Sequence, residues 1–220
     1  MPLNDDAVFA IRRYTSSDRP AVRRICCLTA LEGEPSAAFF DDDEVFADAL
    51  TAYFTDYEPG SCLVAECAGR VVGYLTGAKD TGRMDSVFAR RIALPLFAKA
   101  ILRGVFFRRQ NLQFLSGVFM SLVKGEFGSP DFSKDYPATL HVNVLKEFRA
   151  SGLGSKMIRA YLDYLRAESV KGVRFATMSG RAGRFFRKLH FQELFQSKRS
   201  YFRYLLGNDV PVYVYGAKLM

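Results

Sequence analysis

The segment Arg149-Ala-Ser-Gly152-Leu-Gly154-Ser155 has the residue types and spacing of a turn that binds an anion. It follows a β-rich run at residues 142–145 and precedes a helical pattern, so it joins a strand to the start of a helix. The first N–H groups of a helix lack intrahelical partners, and glycines let a ligand approach the backbone closely. Several charge-assisted hydrogen bonds of about 1.5–3 kcal/mol each reach micromolar affinity when they act together. The segment therefore predicts a diphosphate site.

A second motif follows about thirty residues later, in the stretch Ala182-Gly-Arg-Phe-Phe-Arg-Lys-Leu-His-Phe191. Together the two stretches resemble the GNAT superfamily of acyl-CoA-dependent N-acyltransferases. The first motif of that superfamily is Arg/Gln-x-x-Gly-x-Gly/Ala after a strand. The second is Asn-x-x-Ala-x-x-Phe-Tyr-x-Lys-x-Gly-Phe after the next strand. The resemblance covers residues 7–79 and 137–218.

The resemblance implies an α/β (α+β) fold with a mixed, mostly antiparallel central sheet flanked by helices. The sheet is expected to splay between the strands at residues 139–145 and 173–178, with acetyl-CoA or CoA in the cleft. By motif position, the backbone of residues 142–144 pairs with the pantetheine amides, and residues 149–155 hold the diphosphate. A backbone N–H near Val144 would polarise the thioester oxygen. The residues assigned to the co-substrate are Val142, Asn143, Val144, Arg149, Ala150, Ser151, Gly152, Leu153, Gly154, Ser155, Ser179 and Phe186.

The implied activity is transfer of an acetyl or other acyl group from acyl-CoA to an amine by direct attack, without a metal. Such attack needs a base that takes the proton of the amine and an acid that protonates the leaving thiolate. The sequence departs from the family here. Phe186 stands where many members carry the tyrosine acid, Ser179 stands where asparagine is usual, and Ala138 stands where histone acetyltransferases carry a catalytic glutamate.

Three residues are candidates for the missing acid and base. Glu32 lies, with Glu34, in the segment that lines the acceptor side in this family. His141 shares a strand face with Asn143, and an imidazole there would be able to act near neutral pH. Tyr201 belongs to a cluster of tyrosines near the end of the chain. Each also has a structural interpretation, as a solvated loop carboxylate, a hydrogen-bonded core histidine and a packed aromatic ring, respectively.

The rest of the chain supplies elements that would position these residues. The patterns predict a strand at residues 9–11, helices after Thr15 and after the acidic residues 41–44, and a hairpin of residues 62–68 and 71–78. A strand at 139–145, a helix through 157–165, a strand at 173–178 and a short helix at 181–189 follow. Residues 201–206 and 212–218 are expected to close the chain as a hairpin. We expect one domain spanning residues 1–220.

Residues 81–136 interrupt this rhythm with two or three predicted amphipathic helices. Between Arg83 and Lys124 the only acid is Asp85, although the segment holds many basic residues. The net charge of the whole chain is +8. A helical lid over the sheet is one interpretation of this insertion, and docking on an anionic membrane surface through residues 83–124 is another. No nucleic-acid-reading motif accompanies the charge, so nucleic acid is not an expected partner.

Further patterns limit the classes of protein. No apolar run approaches the roughly 20 residues that span a bilayer, and no secretory signal is recognised, so we expect a cytoplasmic protein. The cysteines Cys26, Cys27, Cys62 and Cys67 form no Cys-x-x-Cys pair, which favours buried reduced thiols over a zinc site. The alternatives to an enzyme acting on an amine are a non-catalytic acyl-CoA sensor and a peripheral membrane acyltransferase for a lipid-like acceptor. A homodimer is a further expectation, and the sequence does not identify the acceptor.

Overall fold

The computed structural model describes residues 9–31, 33–180 and 182–220. The strands are β1 (Phe9–Arg13), β2 (Leu63–Cys67), β3 (Arg70–Ala78), β4 (Ala138–Val144), β5 (Gly172–Thr177), β6 (Gln192–Arg199) and β7 (Val210–Lys218). The helices are α1 (Arg19–Leu28), α2 (Asp43–Ala52), α3 (Thr81–Val87), α4 (Ala93–Leu102), α5 (Arg109–Val123), α6 (Leu153–Ala167), α7 (Ala182–Arg187) and α8 (Arg203–Leu206).

Within the described residues the strands form one seven-stranded sheet in the order β1-β2-β3-β4-β5-β7-β6. All neighbouring strands are antiparallel except β4 and β5, which are parallel. That parallel pair is short, because only Ala138 with Val173 and Thr139 with Arg174 are in register. Beyond them the two strands diverge. The structure thus confirms the mixed, mostly antiparallel sheet and its splay between the two predicted strands.

The divergence leaves one edge of β4 without a neighbouring strand. Leu145, just past β4, donates its backbone N–H to the Val72 carbonyl at 3.0 Å. Paired residues alternate in an antiparallel ladder, so His141 and Asn143 also exchange hydrogen bonds with β3. The backbone groups of Val142 and Val144 therefore point to the side from which β5 has departed.

Helix α6 packs tightly on the middle of the sheet. Its apolar stripe is buried, and Met157 and Tyr161 lie over glycines of β3. Gly77 leaves no room for a Cβ beneath the Tyr161 hydroxyl, and a Cβ at Gly73 would lie 3.3 Å from Met157. This close approach fixes the start of α6, and with it the turn at residues 149–152, against the end of β4.

The insertion forms three helices, α3 to α5, as the amphipathic pattern predicted. Polar contacts tie them to the rest of the fold. Arg103 donates to both carboxylate oxygens of buried Asp42 at 2.8 and 2.9 Å, and the buried Asn111 side chain accepts from the Asp41 N–H at 2.6 Å. At Gly117 the backbone of α5 approaches the Tyr201 carbonyl so closely that a Cβ would lie 2.6 Å from it. No helix in the described ranges is long and apolar enough to cross a membrane.

The predicted strand at residues 201–206 is wrong. These residues form a turn and the short helix α8, and the strand that pairs with β7 is β6, which precedes them. The apolar residues of this segment also fit one face of a helix, since they are spaced as Phe202, Leu205 and Leu206. The sequence pattern was therefore compatible with a helix as well as with a strand. The sequence pattern did not show β6 because it is an edge strand whose exposed polar residues hide any apolar alternation.

Candidate functional site

The splay between β4 and β5 opens a cleft of about 830 Å³. It brings together most of the residues singled out in the sequence. Those that line it are His141, Val142, Asn143, Val144, Arg149, Ala150, Gly152, Leu153, Gly154, Ser155, Ser179, Phe186 and Tyr201. Ser151 is not among the lining residues, because its hydroxyl turns back to donate to the Phe148 carbonyl at 2.8 Å. Glu32 lies outside the described residues.

The turn before α6 presents unpaired donors to the cleft. Gly152 has a φ of +77° and precedes the helix, and Ala150 has a φ of +65°, a left-handed conformation that costs a non-glycine residue about 1–2 kcal/mol. The first backbone hydrogen bond of the helix runs from Lys156 N–H to the Gly152 carbonyl at 3.1 Å. The preceding N–H groups of the helix have no intrahelical acceptor, and no side chain in the described part of the chain caps them. The arrangement suits an anion.

Arg149 links this turn to the free edge of β4. Its Nε donates to the Val144 carbonyl at 3.1 Å, one of the backbone groups that β5 leaves unpaired. Its guanidinium lies against Gly33, in the connection between α1 and α2, where no Cβ would fit. The same connection carries Glu34, whose carboxylate is 3.7 Å from the ammonium of Lys146. These contacts join the predicted acceptor segment to the predicted phosphate turn.

The His141 side chain lines the cleft and contacts Asn143, which lies two residues further along the same face of β4. The Asn143 Nδ2 lies 3.1 Å from His141 Nε2 and 2.9 Å from the hydroxyl of buried Tyr74. With the amide rotated by 180°, Asn143 Oδ1 would accept from both groups, and Nδ1 of the imidazole would keep a free lone pair. The surrounding protein disfavours the charged imidazole and so lowers the pKa of His141 below its usual value of about 6.5. A neutral imidazole is thus available at neutral pH.

Tyr201 and Phe186 differ in what they can contribute. The Tyr201 hydroxyl is 3.3 Å from the sulfur of Met178, which also lines the cleft, and burial raises the pKa of this phenol. It therefore stays protonated at neutral pH and is able to donate. Phe186 is buried against Phe175, with ring centroids 4.3 Å apart, and has no proton to give.

Several other residues that line the cleft were not predicted from the sequence. Arg199 lines it, as do Thr177, Met178 and Phe185. Arg199 ends β6, the strand that was not predicted, so its place in the lining of the cleft was not anticipated. The signal available in the sequence was a basic residue two positions before a candidate catalytic tyrosine.

No cysteine is among the described residues that line the cleft. Cys26, Cys27 and Cys62 are buried free thiols, and Cys67 is partly buried. Burial raises the pKa of Cys26 to about 11 and the pKa values of Cys27 and Cys62 to about 12. These thiols are therefore poor nucleophiles. Across residues 9–31, 33–180 and 182–220, no three His, Cys, Asp or Glu side chains are grouped to hold a metal ion.

Comparison with known proteins reveals similarity in structure. No protein-family model matches the sequence, and no curated protein matches it significantly. Among solved structures, SsHAT is 24% identical with a TM-score of 0.68, covering 96% of this chain and 98% of that chain. YncA, a putative acetyltransferase from Salmonella typhimurium solved with acetyl-CoA, is 17% identical with a TM-score of 0.58, covering 96% of this chain and 94% of that one. A polyamine N-acetyltransferase from Drosophila melanogaster is 14% identical with a TM-score of 0.61, covering 96% of this chain and 100% of that one. The chain therefore has the GNAT fold.

Proposed function

We propose that this chain is a GNAT-superfamily enzyme that transfers an acetyl or other acyl group from acyl-CoA to an amine. One observation carries the proposal: the edge of β4 from which β5 diverges and the uncapped start of α6 line the same cleft. An extended pantetheine offers amides that pair with Val142 and Val144 as another strand would. The diphosphate at its end would accept from the N–H groups around Gly154. The bound acetyl-CoA of YncA supports this co-substrate.

The proposed reaction uses residues that line the cleft. The amine nitrogen attacks the thioester carbon, forming the amide bond and breaking the carbon–sulfur bond. A backbone N–H near Val144 stabilises the developing oxyanion. Neutral His141 accepts the proton that the amine loses, and Tyr201 donates a proton to the CoA thiolate. Both residues line the cleft, and their pKa shifts keep His141 neutral and Tyr201 protonated at neutral pH, the states in which they can accept and donate a proton.

The test is release of CoA thiol from acetyl-CoA in the presence of a panel of primary amines. We expect release that depends on the amine, and we expect His141→Gln to reduce it while leaving acetyl-CoA affinity within about threefold. Mass spectrometry under native conditions would identify any co-purified CoA species and its acyl length. Absence of acetyl-CoA binding would refute the proposal.

A non-catalytic acyl-CoA sensor is a second candidate, favoured by Phe186 at the position of the usual acid. The same assay separates the two functions. Acetyl-CoA binding with no thiol release on any amine would favour the sensor. Release that is lost in both Tyr201→Phe and His141→Gln would favour the enzyme.

We further propose that the insertion docks on an anionic membrane surface. Its α4–α5 face exposes large apolar side chains, with Leu94, Leu102 and Phe107 at 75%, 87% and 88% exposure. Large apolar side chains left exposed on a surface mark a candidate interaction site. Arg90 and Arg91 lie next to it and make no ion pair with any described residue. A second copy of the same face would bring like charges together, so an anionic lipid surface is the better occupant.

Co-sedimentation with vesicles tests this docking. We expect binding to phosphatidylglycerol vesicles to exceed binding to phosphatidylcholine vesicles. The double variant Arg90→Gln/Arg91→Gln should weaken it by about tenfold to thirtyfold, since each basic residue near the surface contributes about 1 kcal/mol. The matched control is Lys171→Gln/Lys188→Gln, which removes two exposed charges elsewhere. Equal binding to both vesicles, or a concentration-dependent dimer that masks the face, would contradict the docking.

A further inference from the structure

Arg199 brings a positive charge to the cleft, and among the described residues it has no carboxylate partner. It ends β6 and lines the cleft beside Tyr201. Its Nε is buried and makes no hydrogen bond to any described residue, and no described carboxylate lies within ion-pair distance of its guanidinium. A buried guanidinium nitrogen without a partner is costly, so such a group in a cleft points to a ligand.

The insertion holds this guanidinium in place through an aromatic contact. The Phe127 ring lies 4.5 Å from the guanidinium carbon, and it stacks on Tyr201 with centroids 6.0 Å apart. A guanidinium that rests on a ring face keeps its N–H edge directed outward. Arg199 is thus positioned rather than free to rotate in solvent.

Glu126, the acidic residue next to Phe127, already has other partners. Glu126 accepts from the Ser200 backbone N–H at 2.7 Å and from the Ser200 hydroxyl at 2.8 Å. Lys124 lies 3.8 Å from the same carboxylate. Glu126 thereby anchors the chain just after β6 and leaves the charge of Arg199 uncompensated.

The rest of the lining shows which ligand this charge suits. Among the described lining residues, Arg149 and Arg199 carry the only permanent charges, and no carboxylate is present. Arg149 contacts Val144 and Gly33 beside the phosphate turn. Arg199 lies instead beside Tyr201, the proposed acid. Two cations on different elements therefore suit two different anions.

We propose that Arg199 binds a carboxylate of the acceptor, so that the acceptor is an amine that also carries a carboxylate and an apolar body. This inference rests on the proposed acyl transfer. The planar guanidinium matches a carboxylate with two parallel hydrogen bonds. Leu140, Phe175 and Met178 offer apolar surface to the remainder of the molecule. A polyamine is a poorer candidate, because the described lining holds no carboxylate to bind its additional ammonium groups.

Matched pairs of acceptors test the inference. Phenylalanine, leucine and methionine are compared with their amides in the thiol-release assay with acetyl-CoA. We expect kcat/KM to be at least about 30-fold higher for at least one free acid than for its amide, since a site built for a polar group rejects the analogue that lacks it. Arg199→Gln should abolish that preference and change the rate on the amide by less than about threefold. Lys198→Gln, an exposed neighbour on the same strand, is the control.

Each outcome decides the inference. Equal use of acid and amide in every pair, or equal loss on both in Arg199→Gln, would overturn it. Weaker acetyl-CoA binding in Arg199→Gln would also overturn it, because Arg199 would then serve the co-substrate. If no pair releases thiol, calorimetry on CoA-saturated protein compares the same ligands, and a missing carboxylate preference there overturns it. Failure of the wild type to bind acetyl-CoA would instead refute the proposed function itself.

Discussion

Gly154 offers a sharp perturbation of the proposed phosphate turn. It is the second residue of α6 and lines the cleft, and a Cβ there would contact only the Phe185 ring, at 3.8 Å. A side chain is therefore accommodated without a clash. An aspartate in the first turn of a helix also stabilises it by about 0.3–1 kcal/mol through the helix dipole. We expect Gly154→Asp to fold at least as stably as the wild type.

The same carboxylate should oppose the binding of acetyl-CoA. It would lie beside a diphosphate held by the N–H groups at the start of α6. Two unit charges 4 Å apart interact by about 1 kcal/mol in water and about 4 kcal/mol at a protein surface. With two charges on the diphosphate, even the lower figure gives about 2 kcal/mol, or about 30-fold in affinity. Gly154→Asn has nearly the same volume without the charge and is the matched control.

Calorimetric titration with acetyl-CoA measures the difference, and thermal unfolding without ligand measures stability. We expect Gly154→Asp to bind at least about 30-fold more weakly than Gly154→Asn while unfolding at an equal or higher temperature. The gap should narrow as salt is raised, because ions screen exposed charges. Equal affinity of the Asp and Asn variants at low salt would refute a diphosphate at this turn.

Three further predictions concern the base, the packing under α6 and acid stability. At saturating amine, kcat of the wild type should fall as pH drops below the pKa of His141, which lies under the usual histidine value of about 6.5. His141→Gln should remove this pH dependence and lower kcat by a factor of about 10²–10⁴. An unchanged pH profile in the variant would exclude His141 as the base. Gly77→Ala should lower the free energy of unfolding in urea by about 1–3 kcal/mol because its methyl meets Tyr161, whereas Gly60→Ala meets nothing within 4 Å and should stay within about 0.5 kcal/mol. A hydrogen-bonded arginine lowers the pKa of Asp18 to about 2. The ionised carboxylate therefore stabilises the fold at pH values above its unfolded pKa of about 3.9, and this contribution of about 2 kcal/mol is lost as pH falls from about 4 to 2. Asp18→Asn should remove this part of the pH dependence of the free energy of unfolding. An acid-unfolding curve that is the same in the variant and the wild type would contradict the prediction.

Local patterns in the sequence predicted the elements that build the cleft. The Arg-x-x-Gly-x-Gly spacing identified the turn before α6, and strand and helix periodicities located β4 and α6 to within a residue or two at most ends. These signals are local, since a turn glycine and an apolar stripe reflect the conformation of the segment that carries them. The residues of that segment consequently came together in one cleft, apart from Ser151.

Contacts between distant segments could not be predicted in this way. The position of Arg199 depends on the edge strand β6, whose polar surface gives no alternating pattern. The docking of the insertion depends on Gly117 meeting Tyr201 and on Asn111 meeting the Asp41 backbone, across separations of about 70 residues or more. No periodicity reports such pairings, because tertiary packing decides them.

The central claim is that acyl-CoA binds along the free edge of β4 and the start of α6, and backbone amide exchange by NMR tests it most directly. Without ligand, the amides of Val142 and Val144 should exchange rapidly while those of His141 and Asn143 are protected by β3. Acetyl-CoA should slow exchange at Val142, Val144 and Gly154. Unchanged exchange at these three amides with saturating acetyl-CoA would contradict the claim.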